Sequence, residues 1–236
     1  MSGVNNRLLF CQCTAYVLAF VLALFAAVPL GQEQHELRGH CLLYAAGRWQ
    51  RGNASRGSGC AQAQCVRLLR WGPASACRFS LFVSVFSCAC AALQAFRSAC
   101  VLYGGVEESH FSEFIGMLLS CTIALMTLIA GATVSEGLKT WCSSITDKGN
   151  TSISCRDIQE ESLNQNVVST LFYDHFGTAQ FALWCAWVVW IILAVLTLKK
   201  VSQNRGKDNC TAQKKEALLN LQTQGYLHGQ VTNVFI

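Results

Sequence analysis

Four stretches of the chain contain no charged residue: 8–30, 79–96, 114–135 and 176–198. Each is close to the roughly 20 apolar residues that a helix needs to cross a ~30 Å hydrocarbon core. A soluble domain rarely holds four such runs, and a disordered chain is too polar to contain them. The pattern predicts an all-α membrane protein, a four-helix transmembrane bundle. Its polar connections are an N-terminus at 1–7, loops at 31–78, 97–113 and 136–175, and a tail at 199–236. The loop at 31–78 is rich in Gly, Arg and Ser around 51–59, which reads as an irregular excursion. The short turn at 97–113 makes the second and third spans an antiparallel hairpin. The tail is polar, with a short helix expected around 213–222. The first apolar run is longer than the apolar core of a signal peptide, and Pro29 sits badly for cleavage, so it reads as an uncleaved anchor.

Small residues recur at four-residue spacing in every span: Ala15, Ala19, Ala23 and Ala27; Ser80, Ser84, Cys88 and Ala92; Gly116, Ser120 and Ala124, then Thr127, Gly131 and Ser135; Thr178, Ala182 and Ala186. Residues four apart share a helix face, and small side chains let helix backbones approach in lipid. These seams are expected to pack the bundle. Trp184, Trp187 and Trp190 form an aromatic ridge in the fourth span, toward its middle rather than at an interface.

Composition agrees with this picture. Of 236 residues, 52% are hydrophobic and 13% charged, against about 25% charged in an ordinary soluble domain. The net charge is +5, with Lys and Arg scattered over every loop, so no basic face marks a nucleic-acid partner. An even number of spans puts both termini on one side. A bulk count of Lys and Arg does not choose that side; the residues flanking spans one and four do, while span two, with Arg78 and Arg97 at its ends, is neutral and span three points weakly the other way through Lys139. Arg7 precedes span one, and Lys199 and Lys200 follow span four, whose other end has Asp174. Both termini are therefore expected to be cytoplasmic. The glycosylation candidates Asn53 and Asn150 then fall in the two loops facing the lumen or the exterior. So do six of the 14 cysteines: Cys41, Cys60, Cys65, Cys77, Cys142 and Cys155. Such clustering suits an oxidising compartment, in the secretory pathway or at the plasma membrane.

Six cysteines allow many pairings. The simplest set is Cys41–Cys77, Cys60–Cys65 and Cys142–Cys155; a set joining Cys41 or Cys77 to the second loop remains open. Either set braces loops that have little core of their own. A membrane thiol oxidoreductase would need a Cys-x-x-Cys pair, and the chain has none. Cys100, Cys11 and Cys13 lie at or near the cytoplasmic interface and are candidates for palmitoylation. The spacing of His35, His40 and Cys41 matches no zinc pattern, and Asp174-His175 lies at a span mouth with no nucleophile pattern beside it. No metal and no cofactor are expected. The uncharged spans argue against a proton-coupled carrier. Their most polar residues are read as Gln94 and Gln180, near the ends. A small channel or transporter subunit would have to use Thr122, Thr127, Ser84 and Ser87. The chain ends Val234-Phe235-Ile236, where Val234 and Ile236 fit strand addition to a PDZ domain.

Several stretches together resemble a known family. They are Arg38-Gly39-His40-Cys41-Leu42-Leu43-Tyr44, Trp71-Gly72-Pro73-Ala74-Ser75-Ala76-Cys77-Arg78-Phe79-Ser80-Leu81, and Trp141-Cys142 with Ile145-Thr146 and Lys148-Gly149. Phe172-Tyr173-Asp174 and Ala179-Gln180 before Leu183-Trp184 extend the match. The chain resembles the transmembrane protein 179 family of four-span membrane proteins. That resemblance implies a multi-pass protein with no assigned reaction, and Cys41, Cys77, Cys142 and Cys155 as the family's lumenal cysteines. Cys60 and Cys65 fall outside the matching stretches. The architecture is loosely similar to claudin-like tetraspans, but the first loop lacks the Trp…Gly-Leu-Trp…Cys…Cys pattern, so a tight-junction role is not implied. The expected activity is binding: a non-enzymatic accessory, scaffold or trafficking partner of other membrane proteins in the lipid bilayer.

Overall fold

The computed structural model describes residues 2–51, 64–104, 110–146, 155 and 172–232. Four helices carry them: α1 (Ser2–Glu36), α2 (Ala74–Gly104), α3 (His110–Thr146) and α4 (Phe172–Thr232). Two strands, β1 (Cys41–Arg51) and β2 (Gln64–Gly72), stand between α1 and α2. Each helix contains a segment long and apolar enough to cross a membrane: Arg7–Glu36, Ala74–Gly104, Ser112–Thr146 and Phe172–Gln203. The helices enclose all four uncharged windows and outrun them at both ends. Charge marks where hydrocarbon stops; a helix continues as long as its own backbone bonds are made. The clearest case is α4, which runs unbroken through the polar tail to Thr232, where only a separate short helix was expected.

In the bundle α1 packs on α2 and α4, and α3 on α4, while α2 and α3 meet less extensively. The ring is closed by small inward residues. Ala19, Ala23 and Ala26 of α1, Ser80, Ser84, Ser87 and Ala91 of α2, and Ala179, Ala182 and Ala186 of α4 are buried. The strict four-residue seams hold only in part. Ala92 and Thr178 are exposed, and Ala15, Ala27, Cys88 and Ser135 are half-buried. A step of four turns about 40° past a full helical revolution, so a fixed spacing drifts off the inner face. In α2 the face moves to Ser87 and Ala91. In α3 the sequence itself steps by three between Ala124 and Thr127, and Gly116, Ser120, Ala124, Thr127 and Gly131 all stay buried.

The tryptophans act as packing elements. Trp190 is fully buried, donates from Nε1 to Ser87 Oγ at 2.9 Å, and meets Tyr16 edge-on at 6.1 Å. The Nε1–H of Trp184 donates to Ser135 Oγ at 3.1 Å, and its ring lies against Gly131. Trp187 is half-buried, edge-on to Trp184. Large apolar side chains such as Phe10, Phe82, Phe96, Leu125 and Phe181 point outward, as lipid contact requires.

Candidate functional site

The most constructed feature is a strand hairpin seated on one end of the bundle. Helix α1 ends in a turn in which Gly39 N–H donates to Gln34 O at 2.9 Å, with Gly39 at φ 83° and Arg38 at φ 51°. This left-handed cap satisfies helix-end carbonyls and turns the chain into β1. The two strands pair antiparallel from Cys41↔Gly72 to Arg51↔Gln64, with register shifts between Cys41 and Ala46 and between Ala46 and Gly47. Tyr44, inside the first irregularity, has φ 63°. A left-handed tyrosine is a backbone cost that surrounding contacts must hold in place. Those contacts are close. A Cβ on Gly72 would overlap the Leu43 carbonyl oxygen and reach within 2.8 Å of its carbon. A Cβ on Gly137 of α3 would come within 2.8 Å of Leu43 Cβ and 3.1 Å of the Tyr44 ring. Leu42, Leu43 and Ala45 are buried on this seat, and Gly47 N–H donates to Ser144 Oγ at 3.3 Å.

Among the described residues, two disulfides fix the assembly. Cys41–Cys77 joins the start of β1 to the first turn of α2, and Cys142–Cys155 joins the end of α3 to the segment that follows. Both stay within their own loops, so the cross-loop alternative for these four cysteines does not form. Cys60 and the side chain of Cys65 lie outside the described residues, as do Asn53, Asn150, Val234 and Ile236. Cys41 is thus committed to sulfur. His40 stacks on Trp71 at 4.7 Å, His35 is exposed, and among the described residues no three His, Cys, Asp or Glu gather to hold a metal. The outer side of the hairpin is open: Leu69 is 63% exposed and Arg70 is exposed beside it.

Below the hairpin, His175 Nδ1 of α4 lies 2.7 Å from Glu33 Oε1 of α1, whose side chain is 2% exposed. The sequence marks Asp174-His175 at a span mouth but not this partner, which is 142 positions away. At the opposite end, Gln12 donates to Thr197 Oγ1 at 3.0 Å, Lys200 Nζ meets Glu113 Oε1 at 3.3 Å, and Arg97 donates to Gln94 Oε1 at 3.2 Å. Gln12 is a third span amide beside Gln94 and Gln180; it is 7% exposed and ties α1 to α4. Of the palmitoylation candidates, Cys11 and Cys100 are exposed, while the Cys13 thiol turns toward α2, 3.9 Å from Ala95 O.

Three of the four pore candidates, Ser84, Ser87 and Thr127, are buried inside the bundle. Thr122 faces outward and bonds Leu118 O; Thr127 bonds Ile123 O and Ala124 O; Ser84 bonds Ser80 O; Ser87 accepts from Trp190. Hydroxyls bonded to their own helix carbonyls are satisfied without water.

Four membrane-length helices in a ring, capped by a disulfide-pinned hairpin, define an integral multi-pass membrane protein. Residues 8–224 match the Transmembrane protein 179/179B Claudin domain, and the chain belongs to that family. The match takes in all four spans and the hairpin. No solved structure matches the chain.

Proposed function

We propose that the protein is a non-enzymatic tetraspan that works by binding, as an accessory, scaffold or trafficking partner of another membrane protein. Its membership of a claudin-like membrane family supports the non-enzymatic part. The observation that carries the binding part is the hairpin. Its inner face is locked on Gly137 and by Cys41–Cys77, while Leu69 and Arg70 are presented outward. A surface held rigid before encounter loses little conformational entropy on binding. The flanking charges at Arg7, Lys199 and Lys200, and disulfides at the hairpin end, support cytoplasmic termini with the hairpin on the oxidising side.

Co-purification from native membranes in mild detergent tests this reading. A stoichiometric membrane-protein partner is expected with the wild-type chain. Leu69→Glu should lose that partner while leaving the melting temperature unchanged, because Leu69 packs outward. Recovery of the wild-type chain without a stoichiometric membrane partner would count against it, as would a partner indifferent to Leu69→Glu.

A further inference from the structure

Between α1 and α4, in the half of the bundle nearer the hairpin, lies a cavity of about 430 Å³, a size typical of small-molecule sites. Val21, Phe25, Val28 and Pro29 of α1 form one wall, and His175 and Thr178 of α4 the other. Val21, Phe25 and Val28 are exposed on the outside of the bundle, within a segment of membrane-spanning length. The cavity therefore opens toward hydrocarbon.

Three polar features interrupt this apolar wall. Pro29 lies inside α1 and has no N–H, so the carbonyl of Phe25, four residues earlier, lacks an amide at the usual helical position. Thr178 is exposed on the opposite wall. The exposed Thr122, Thr133 and Thr140 each donate to the carbonyl four residues back; Thr178 makes no such bond among the described residues. His175 is held through Nδ1 by Glu33 Oε1 at 2.7 Å. That contact places the ring proton on Nδ1 and leaves Nε2 as an acceptor. Hydrocarbon offers no water to satisfy such groups.

We propose that the cavity is a binding site for a sterol, a rigid apolar body carrying one hydroxyl. A hydroxyl both donates and accepts, so one group can donate to His175 Nε2 or the Phe25 carbonyl and accept from Thr178. Among the described residues no Lys or Arg lines the cavity, which gives a phosphate headgroup no cation to pair with. Val21, Val28 and Pro29 are stiff residues, and a rigid ligand on a rigid wall loses little conformational entropy.

The test uses the full chain in phosphatidylcholine vesicles with a photoreactive cholesterol analogue, read by peptide mass spectrometry. Saturable labelling is expected at 21–29 and 175–178, displaced by cholesterol and not by cholestene, which lacks the hydroxyl. Thr178→Val keeps the branched shape and should weaken the apparent affinity about fivefold, the effect of one hydrogen bond. Val28→Trp fills the cavity and should abolish labelling. Leu125→Trp, at a 63% exposed position on α3, should change nothing. Labelling that does not saturate, that cholestene displaces equally well, or that survives Val28→Trp would overturn the site. Displacement by dioleoylglycerol in preference to cholesterol would assign the cavity to an acyl lipid and overturn the sterol.

Discussion

Gly137 sets how closely the hairpin approaches α3. With Leu43 Cβ only 2.8 Å from where its own Cβ would stand, any larger residue must push the strand away. Gly137→Val should cost about 1–3 kcal/mol, the range for overpacking a close contact, seen as a lower melting temperature and faster proteolysis of the hairpin. Trp190 makes a different kind of contact, across the bundle to Ser87. Trp190→Phe keeps most of the ring volume and removes the donor, so the loss should be about 1 kcal/mol, measured by thermal unfolding in detergent. The sequence shows that Trp190 is a large residue in a span; it does not show that Ser87 is its acceptor 103 positions earlier. The same holds for Glu33 and His175. Pairs of this kind belong to the packing and leave no local pattern. Gln12 differs, because a polar residue inside an apolar run is visible in the sequence itself.

At the scale of elements, the helices were legible because four uncharged windows of membrane length have few other physical solutions. Their ends were less so, since hydropathy reports the hydrocarbon boundary and not the backbone. The strand hairpin was missed for a specific reason. In β1 (Cys41–Arg51), the register shifts twice before Gly47, so the alternation that signals a strand is broken where the buried residues lie. Leu42 and Leu43 are both buried, which a regular strand with one covered face would not allow. The disulfides should matter unequally. Cys41–Cys77 spans 36 positions and Cys142–Cys155 spans 13. Loop entropy then gives about 4 kcal/mol for the first and about 3 for the second. Paired replacement by alanine should loosen the hairpin end more at Cys41 and Cys77, as read by hydrogen exchange in β1 and β2.

At the scale of the whole molecule, the two ends of the ring differ in chemistry. One is covalently braced and carries strands; the other gathers Gln12, Arg97, Glu113 and Lys200 without covalent ties. In the uncharged middle, Ser84 and Thr127 donate to carbonyls of their own helices and Ser87 accepts from Trp190, so these buried hydroxyls have partners within the bundle. This division explains why the class of protein could be read from sequence while a partner could not: membrane spans are set by composition, whereas the surface proposed for recognition takes its shape from Gly72, Gly137 and Tyr44 together. The measurement that bears most directly on a braced hairpin facing an oxidising compartment is disulfide mapping by non-reducing peptide mass spectrometry, with and without glycosidase, on protein from native membranes. Fully formed Cys41–Cys77 and Cys142–Cys155 links, with a glycan on Asn53 or Asn150, are the expected result. Free thiols at these four positions, links between the two loops, or a glycan on Asn209 of the tail, in the sequon Asn209-Cys210-Thr211 that cytoplasmic termini would leave unmodified, would contradict it.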